Sequence, residues 1–293
     1  MAFPREGGFN ENTSVVVTQV FSEAFSLSAG KFNLLELAAG VPLIGGGGLD
    51  TFTNLGLAAP ASGVTPPYLL GAVASWKTAP AQFTLMVYDP RNAQDQDVLD
   101  KPFDKGTTTS LAVTFPTKFG GLPGYYGLRG VYSSQTGSNL AYVPFSRLPA
   151  ASGLSLTKKG YYYGSASFQQ YLAVDPADQR RGWGVFGEAG LSEGNPNALK
   201  WHVIAGIGGS ALWPGRELDR WGVAYFQYGF SPALERNLNA IGFPLRDERG
   251  IEAFYNFAVT PWLRVSANVQ WVAPHRGDRP DATTASLRTQ VRF

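Results

Sequence analysis

The feature that most constrains this chain is the rhythm of its joins. Period-2 alternation marks about thirteen candidate strands, each near the roughly ten residues that a tilted strand needs to cross a bilayer. Short joins fall at Glu23-Ala24, Ala79-Pro80, Gly120-Gly121-Leu122-Pro123, 175–179, 215–219 and Pro261-Trp262. Between them lie the longer segments 35–67, 90–105, 136–159, 193–199, 231–248 and 274–283. A soluble β-sandwich has no reason to keep short and long joins alternating, whereas a barrel in an outer membrane has short periplasmic turns at one rim and long external loops at the other.

The strands themselves agree. In 251–259, Ile251, Ala253, Tyr255, Phe257 and Val259 fall on one face and Glu252, Phe254, Asn256 and Ala258 on the other. From Leu263 onward, Leu263, Val265, Ala267, Val269 and Trp271 oppose Arg264, Ser266, Asn268 and Gln270. The last strand sets Leu287, Val291 and Phe293 against Arg288, Gln290 and Arg292. Elsewhere Phe83, Leu85 and Val87 oppose Gln82 and Thr84, Leu111, Val113 and Phe115 oppose Ser110 and Thr114, and Trp183, Val185 and Leu191 oppose Glu188. Strands in 13–22, 161–172 and 221–230 do not assign a face from their sequence.

Composition narrows the solvent. Charged residues make up 16% of the chain and Trp, Tyr and Phe 13%, with 35 glycines; soluble domains carry about 25% charged residues. No stretch approaches the roughly 20 apolar residues of a spanning helix, so a membrane form must be a barrel. The net charge of +2 is spread along the chain, which argues against nucleic-acid binding. With no cysteine, disulfides and thiolate metal sites are excluded, and no cofactor is expected. The first residues lack an export signal, and the reading is of a chain that begins partway through its barrel.

The expected fold is therefore all-β: one antiparallel transmembrane barrel over residues 1–293, about thirteen strands of a probable sixteen, since bacterial single-chain barrels use even strand numbers. Residues 36–67 then form an external loop that folds inward as a constriction, its Gly45-Gly46-Gly47-Gly48 run permitting a tight path. Candidate wall residues are Lys31, Asn33, Arg129, Glu188, Glu252, Asn256, Arg264, Asn268, Arg288 and Arg292, with Glu36 and Asp50 in the loop. For any one of them taken alone the ordinary reading, a solvated or salt-bridged lumen residue with no part in selectivity, is the stronger, since many wall charges sit away from the narrowest point.

Several stretches resemble the carbohydrate-selective, OprB-type porins. They are Ala29-Gly30-Lys31-Phe32-Asn33, Val87-Tyr88-Asp89-Pro90, Phe115-Pro116-Thr117 leading into Phe119-Gly120-Gly121-Leu122-Pro123-Gly124, and Gly250-Ile251-Glu252-Ala253-Phe254-Tyr255-Asn256-Phe257 followed by Thr260-Pro261-Trp262-Leu263. The resemblance covers nearly the whole chain and implies a sixteen-stranded, glucose-favouring diffusion channel in the bacterial outer membrane. It also implies contact with lipid and lipopolysaccharide, assembly with copies of itself such as a trimer, and recognition of the terminal Phe293 by the barrel-assembly machinery.

Catalytic readings have less support. His202 and His275 are far apart in the chain, and no nucleophile-elbow or phosphate-loop motif is present. Gly206-Ile207-Gly208-Gly209-Ser210-Ala211 fits a dinucleotide pattern but sits inside a strand pattern rather than opening a helix. Arg276-Gly277-Asp278 spells an adhesion tripeptide and reads as an ordinary loop. Glu188 and Glu252 are a weak candidate pair of carboxylates for glycoside hydrolysis. Two alternatives remain: a membrane-embedded barrel enzyme of lipase or protease type, and a soluble carbohydrate-binding β-protein.

Overall fold

The structure, a computed structural model, describes residues 14–45, 50–94, 96–142 and 155–291. Among these residues thirteen strands form one sheet in strict chain order: β1 Val15–Val20, β2 Phe25–Asn33, β3 Tyr68–Lys77, β4 Gln82–Tyr88, β5 Thr108–Phe119, β6 Leu122–Ser138, β7 Thr157–Val174, β8 Gly182–Ser192, β9 Leu199–Ser210, β10 Arg220–Phe230, β11 Glu248–Ala258, β12 Leu263–Ala273 and β13 Ala282–Val291. Each pairs antiparallel with its chain neighbours; among the described residues β1 and β13 do not pair with each other. No helix among the described residues is long and apolar enough to cross a membrane.

Local chemistry explains the pairing. Gly120 and Gly121 take φ of 58° and 81°, the left-handed pair of a two-residue hairpin turn whose twist matches its strands, and Phe119 faces Leu122 across it. Gly30, with φ of 141°, lies so close to β1 that a Cβ would collide with the Val15 carbonyl oxygen. β6 and β7 run for 17 and 18 residues, beyond the ten or so expected, so strand pairing takes up part of what the sequence suggests is loop at 136–159. The rhythm of joins fails once: 193–198 on the long-join rim is shorter than 211–219 on the other.

The alternation holds where the sequence is clear. Glu252 and Asn256 are fully buried while Ile251 and Phe257 are exposed. Leu287 is 75% exposed, and Leu111, Leu128, Leu191 and Val269 share its outward face on other strands. That outward band of large apolar side chains suits hydrocarbon rather than water.

The sheet curls around the segment between β2 and β3. Within 42–65 that segment reaches Tyr88 on β4, Arg129 on β6, Gln169 on β7, Tyr228 on β10, Glu252 on β11 and Arg288 on β13. Only a strongly curved sheet can offer all these strands to one stretch of chain. The main apolar core lies on its concave face, where Leu43, Phe52 and Leu57 of the segment pack against Phe186, Ile204 and Phe226. Two short helices stiffen the segment, α1 Leu34–Ala39 and α2 Leu55–Ala58, capped by Asn33 and Asn54. Helices α3 Gln96–Asp100 and α4 Pro232–Ala240 lie in other joins on the same rim.

Candidate functional site

Glu252 stands on the concave face of β11 with no exposed surface. A buried carboxylate persists only where donors meet its charge, and the inserted segment supplies them. Thr53 N and Oγ1 donate to Oε1 at 2.6 and 3.1 Å, and Asn54 N donates to Oε2 at 2.8 Å. Asn268 Nδ2 on β12 also donates to Oε1. Asn54 caps α2, its Oδ1 accepting from Gly56 N at 2.9 Å, so its own amide is free of the helix and available to Glu252. Gln270 completes the network: its Nε2 donates to Thr53 Oγ1 at 2.6 Å and to Asn268 Oδ1 at 3.1 Å, and its Oε1 accepts from Asn54 Nδ2 at 3.3 Å.

Around this anchor other wall groups hold the same segment. Arg264 on β12 pairs with Asp50 at 3.4 Å, and Arg288 on β13 donates to the Thr51 carbonyl at 3.4 Å. Arg220 on β10 donates to the Leu43 carbonyl at 3.1 Å, and Leu43 N donates to Gln169 Oε1 at 2.7 Å. Tyr228 donates its hydroxyl to the Gly56 carbonyl at 2.7 Å and accepts from Ala61 N at 3.3 Å. Asn197 Nδ2 donates to the Ser62 carbonyl at 2.9 Å. At the far end Arg129 bridges Ser110 Oγ (3.0 Å) and Thr65 Oγ1 (2.8 Å), and Thr65 Oγ1 also hydrogen-bonds the Tyr88 hydroxyl at 3.0 Å.

The sequence candidates thus separate. Asp50, Glu252, Arg264, Asn268 and Arg288 converge on residues 50–54, and Arg129 meets residue 65. Asn256 is buried against Ser266, donating to its Oγ at 2.7 Å. Lys31, Asn33 and Glu36 gather where the segment starts. Lys31 Nζ lies 6.0 Å from the Tyr68 ring centroid, Asn33 caps α1, and exposed Glu36 accepts from Ser14 Oγ at 2.6 Å. Glu188 sits elsewhere, accepting from the Tyr163 hydroxyl at 3.2 Å and lying 3.4 Å from His202 Nε2. Arg292 and Phe293 are outside the described residues, as are Gly46, Gly47 and Gly48; Gly45 is buried.

Among the described residues, no cluster of three or more His, Cys, Asp or Glu side chains forms a metal-holding group. The two histidines are engaged separately: His202 lies between the rings of Tyr163 and Tyr228, and His275 Nδ1 lies 2.8 Å from Glu248 on the long-join rim. The glycine-rich stretch 206–211 lies in β9 and the residue after it, and Arg276 and Asp278 pair with each other. Thr53, Asn54, Tyr228, Gln270, Arg220 and Thr65 belong to the grip on the segment and are not among the sequence candidates. Only Asn54 carried a signal, an N-cap type residue before Leu55-Gly56-Leu57.

Residues 12–293 match the family model described as carbohydrate-selective porin, OprB family. No curated protein matches the chain. Among solved structures, the high-pH structure of Pseudomonas putida OprB is similar at 19% identity and a TM-score of 0.75, over 95% of this chain and 72% of that one. The low-pH structure of the same protein is similar at 17% identity and a TM-score of 0.52, over 93% of this chain and 64% of that one. At these identities the likeness is one of fold.

Proposed function

The chain belongs to the OprB family of carbohydrate-selective porins, and on that premise we propose that segment 36–67 is the constriction of a passive channel for small neutral sugars, glucose first. Porins of this family are outer-membrane channels rather than enzymes. The observation that carries the reading is the grip of Glu252 on Thr53 and Asn54, which fixes a stretch of loop across the interior instead of leaving it at the rim. A loop held there narrows the path and sets its width by hydrogen bonds rather than by chance packing.

The mechanism is exchange of hydration. A hydroxyl-rich solute gives up water hydrogen bonds and takes wall hydrogen bonds of similar strength, so passage costs little, and no covalent bond is made or broken. We assign the buried groups Glu252, Asn256 and Asn268 to holding the wall and loop in place. The more accessible Lys31, Asn33, Glu36, Arg129 and Glu188 are the groups we assign to the solute path. Arg264 and Asp50 neutralise each other across the loop, which removes an attraction that would favour ions over sugars.

The test is liposome swelling with the detergent-refolded protein, comparing glucose, a disaccharide and a charged solute of glucose size. Faster swelling with glucose than with either of the others is expected. Swelling with none of them, or fastest with the charged solute, would refute the assignment.

A further inference from the structure

The strand wall holds the inserted segment through Glu252; a second hold comes from a neighbouring loop. The join between β8 and β9, residues 193–198, is stiffened by its own bonds. Ser192 Oγ accepts from Gly194 N at 3.1 Å, Glu193 Oε1 accepts from Asn197 N at 2.8 Å, and Glu193 Oε2 accepts from Tyr162 N on β7 at 2.8 Å. Other joins of the same rim are clipped to it. Asn195 Oδ1 accepts from Leu140 N at 3.0 Å while its Nδ2 donates to Asn139 Oδ1 at 2.9 Å. Ser231, the cap of α4, donates its amide to the Ala198 carbonyl at 2.8 Å, and Asn237 of α4 donates Nδ2 to the Leu140 carbonyl at 2.7 Å. The join 193–198 is therefore a fixed point of the long-join rim.

Asn197 faces the inserted segment from this fixed point. It is 1% exposed, and both ends of its side-chain amide are engaged: Nδ2 donates to the Ser62 carbonyl at 2.9 Å and Oδ1 accepts from Leu199 N at 3.0 Å. A buried amide used at both ends has one orientation, so the Ser62 carbonyl is held at one place. Gly63 fits against the same side chain. Its φ is 71°, and a Cβ on it would lie 2.1 Å from Asn197 Oδ1. Among the described residues, no other side chain from outside the segment hydrogen-bonds residues 62–64. The amides of Val64 and Thr65 turn back onto Ser62 Oγ at 3.2 and 3.0 Å, so what holds Ser62 also holds this turn.

From this geometry we infer that Asn197 is a positioning residue for the size limit of the channel: it pins the returning arm of the segment, residues 62–65, while Glu252 pins the middle. The inference rests on reading 36–67 as the constriction. A stretch of chain held at one point pivots about it, whereas holds on two different elements fix its direction as well as its place. Val64 packs on Val131 and Tyr163, but apolar contact is non-directional and leaves the arm free to turn. The Ser62–Asn197 bond supplies the direction. Part of the pore width is thereby set by a loop that belongs to no strand of the wall, and the clips to Leu140 and α4 keep that loop from following the arm.

The experiment compares the wild type with Asn197→Ala, Asn197→Asp, and Gly63→Ala alone and combined with Asn197→Ala. It reads amide exchange in detergent and the disaccharide-to-glucose ratio of swelling rates in liposomes. Asn197→Asp keeps the size of the side chain and the acceptor for Leu199, and sets a carboxylate oxygen against the Ser62 carbonyl, so it breaks the bond without opening a cavity. In both Asn197 variants exchange at Val64 and Thr65 is expected to accelerate roughly tenfold, the equivalent of one neutral hydrogen bond. Thr53 and Asn54 are expected to keep their wild-type rates, and the swelling ratio to rise. Gly63→Ala is expected to loosen the same two amides in the wild type and to add less in Asn197→Ala, where the collision is gone. Unchanged exchange at Val64 and Thr65 in Asn197→Asp, or fully additive effects in the Gly63 pair, overturns the hold. Equal acceleration at Thr53 and Asn54 overturns it too, since the whole segment has then loosened. Accelerated exchange with an unchanged swelling ratio overturns the link to solute size and leaves the channel standing. A wild type that conducts none of the solutes refutes the channel and the inference together.

Discussion

Replacing Glu252 by Gln changes one atom of the side chain and tests the seat of the inserted segment. The carboxylate accepts from Thr53 N and Oγ1, from Asn54 N and from Asn268 Nδ2. A carboxamide can keep only one acceptor oxygen. If that oxygen stays with Thr53 and Asn268, the new NH2 faces the Asn54 amide at the 2.8 Å position, donor against donor. One hydrogen bond to a charged group is lost, about 1.5–3 kcal/mol, and a buried donor is left unpaired at about 1–3 kcal/mol; relaxation of the loop recovers some of this, leaving roughly 2–4 kcal/mol. Converted by 1.4 kcal/mol per decade, that is roughly a 30- to 1000-fold rise in the population of local opening. Hydrogen exchange on the detergent-solubilised protein reads this directly, since Thr53 and Asn54 are the amides concerned. Their exchange is expected to accelerate by that range while amides in the β6–β7 ladder stay as they were, and the disaccharide-to-glucose swelling ratio is expected to rise. Less than a tenfold acceleration, with an unchanged ratio, would refute both the anchor and its link to pore width.

Phe52→Ala removes a ring set edge-on against Phe254 at 4.8 Å and Phe186 at 5.9 Å, for about 3–5 kcal/mol of local seating; exchange of amides in 50–57 is expected to accelerate at least as much as in Glu252→Gln, and a smaller effect would place the main hold in the polar network. Gly30→Ala drives a methyl into the Val15 carbonyl and is expected to unpair β1 from β2, read as loss of amide protection in 15–20; full protection would contradict the close approach. At the long-join rim, burial opposes ionisation of Asp89. The Arg91 side chain and backbone and the Phe103 amide outweigh it, holding the carboxyl below the usual range. A depressed carboxyl stabilises fully above its unfolded value of about 3.9 and loses that contribution as pH falls through the lower folded value. Protection of the Phe103 amide should therefore weaken below about pH 4 in the wild type and be low and independent of pH in Asp89→Asn; a parallel slope in the two would count against this ion pair.

How much of this was legible depends on what each strand's concave face meets. On β11 and β12 it meets the polar groups of Asp50, Thr53 and Asn54, so Glu252, Arg264 and Asn268 alternate visibly with Ile251, Val265 and Val269. On β10 the concave residues are Ala224, Phe226 and Tyr228, buried against Phe52 and Leu57 of the segment. Between Arg220 at one end and Gln227 at the other, both faces of β10 are apolar, and period 2 disappears from the sequence even though it is present in the fold. β7 fails for the same reason at Tyr163 and Tyr171, and β1 for the opposite one, since all its residues are exposed. The strands that could not be assigned a face include those that pack the inserted loop by its apolar side, so the failure of alternation marks where the plug of side chains lies.

The site was legible as a set of residue types and not as a set of contacts. Glu252 is 199 positions from Thr53, and nothing local to either announces the other. Polar residues on a strand of this kind admit two fates, facing water or facing an inserted segment, and the sequence reads the same for both. What separates them is the chemistry of the segment. A helix start leaves its first backbone amides without internal partners; the Asn54 side chain meets the one at Gly56 while its own amide stays open, and a buried carboxylate is the natural group to meet that one, so a capped short helix inside a long loop predicts an acidic anchor on the opposing wall. The same argument applied to Asn33 and α1 points to Glu36 and Ser14 instead, which satisfy each other beside the β1–β2 pair without reaching across the interior. The loop is thus tied at its start to its own hairpin and in its middle to the far wall. Such a loop can shift in its middle only by breaking the Glu252 network.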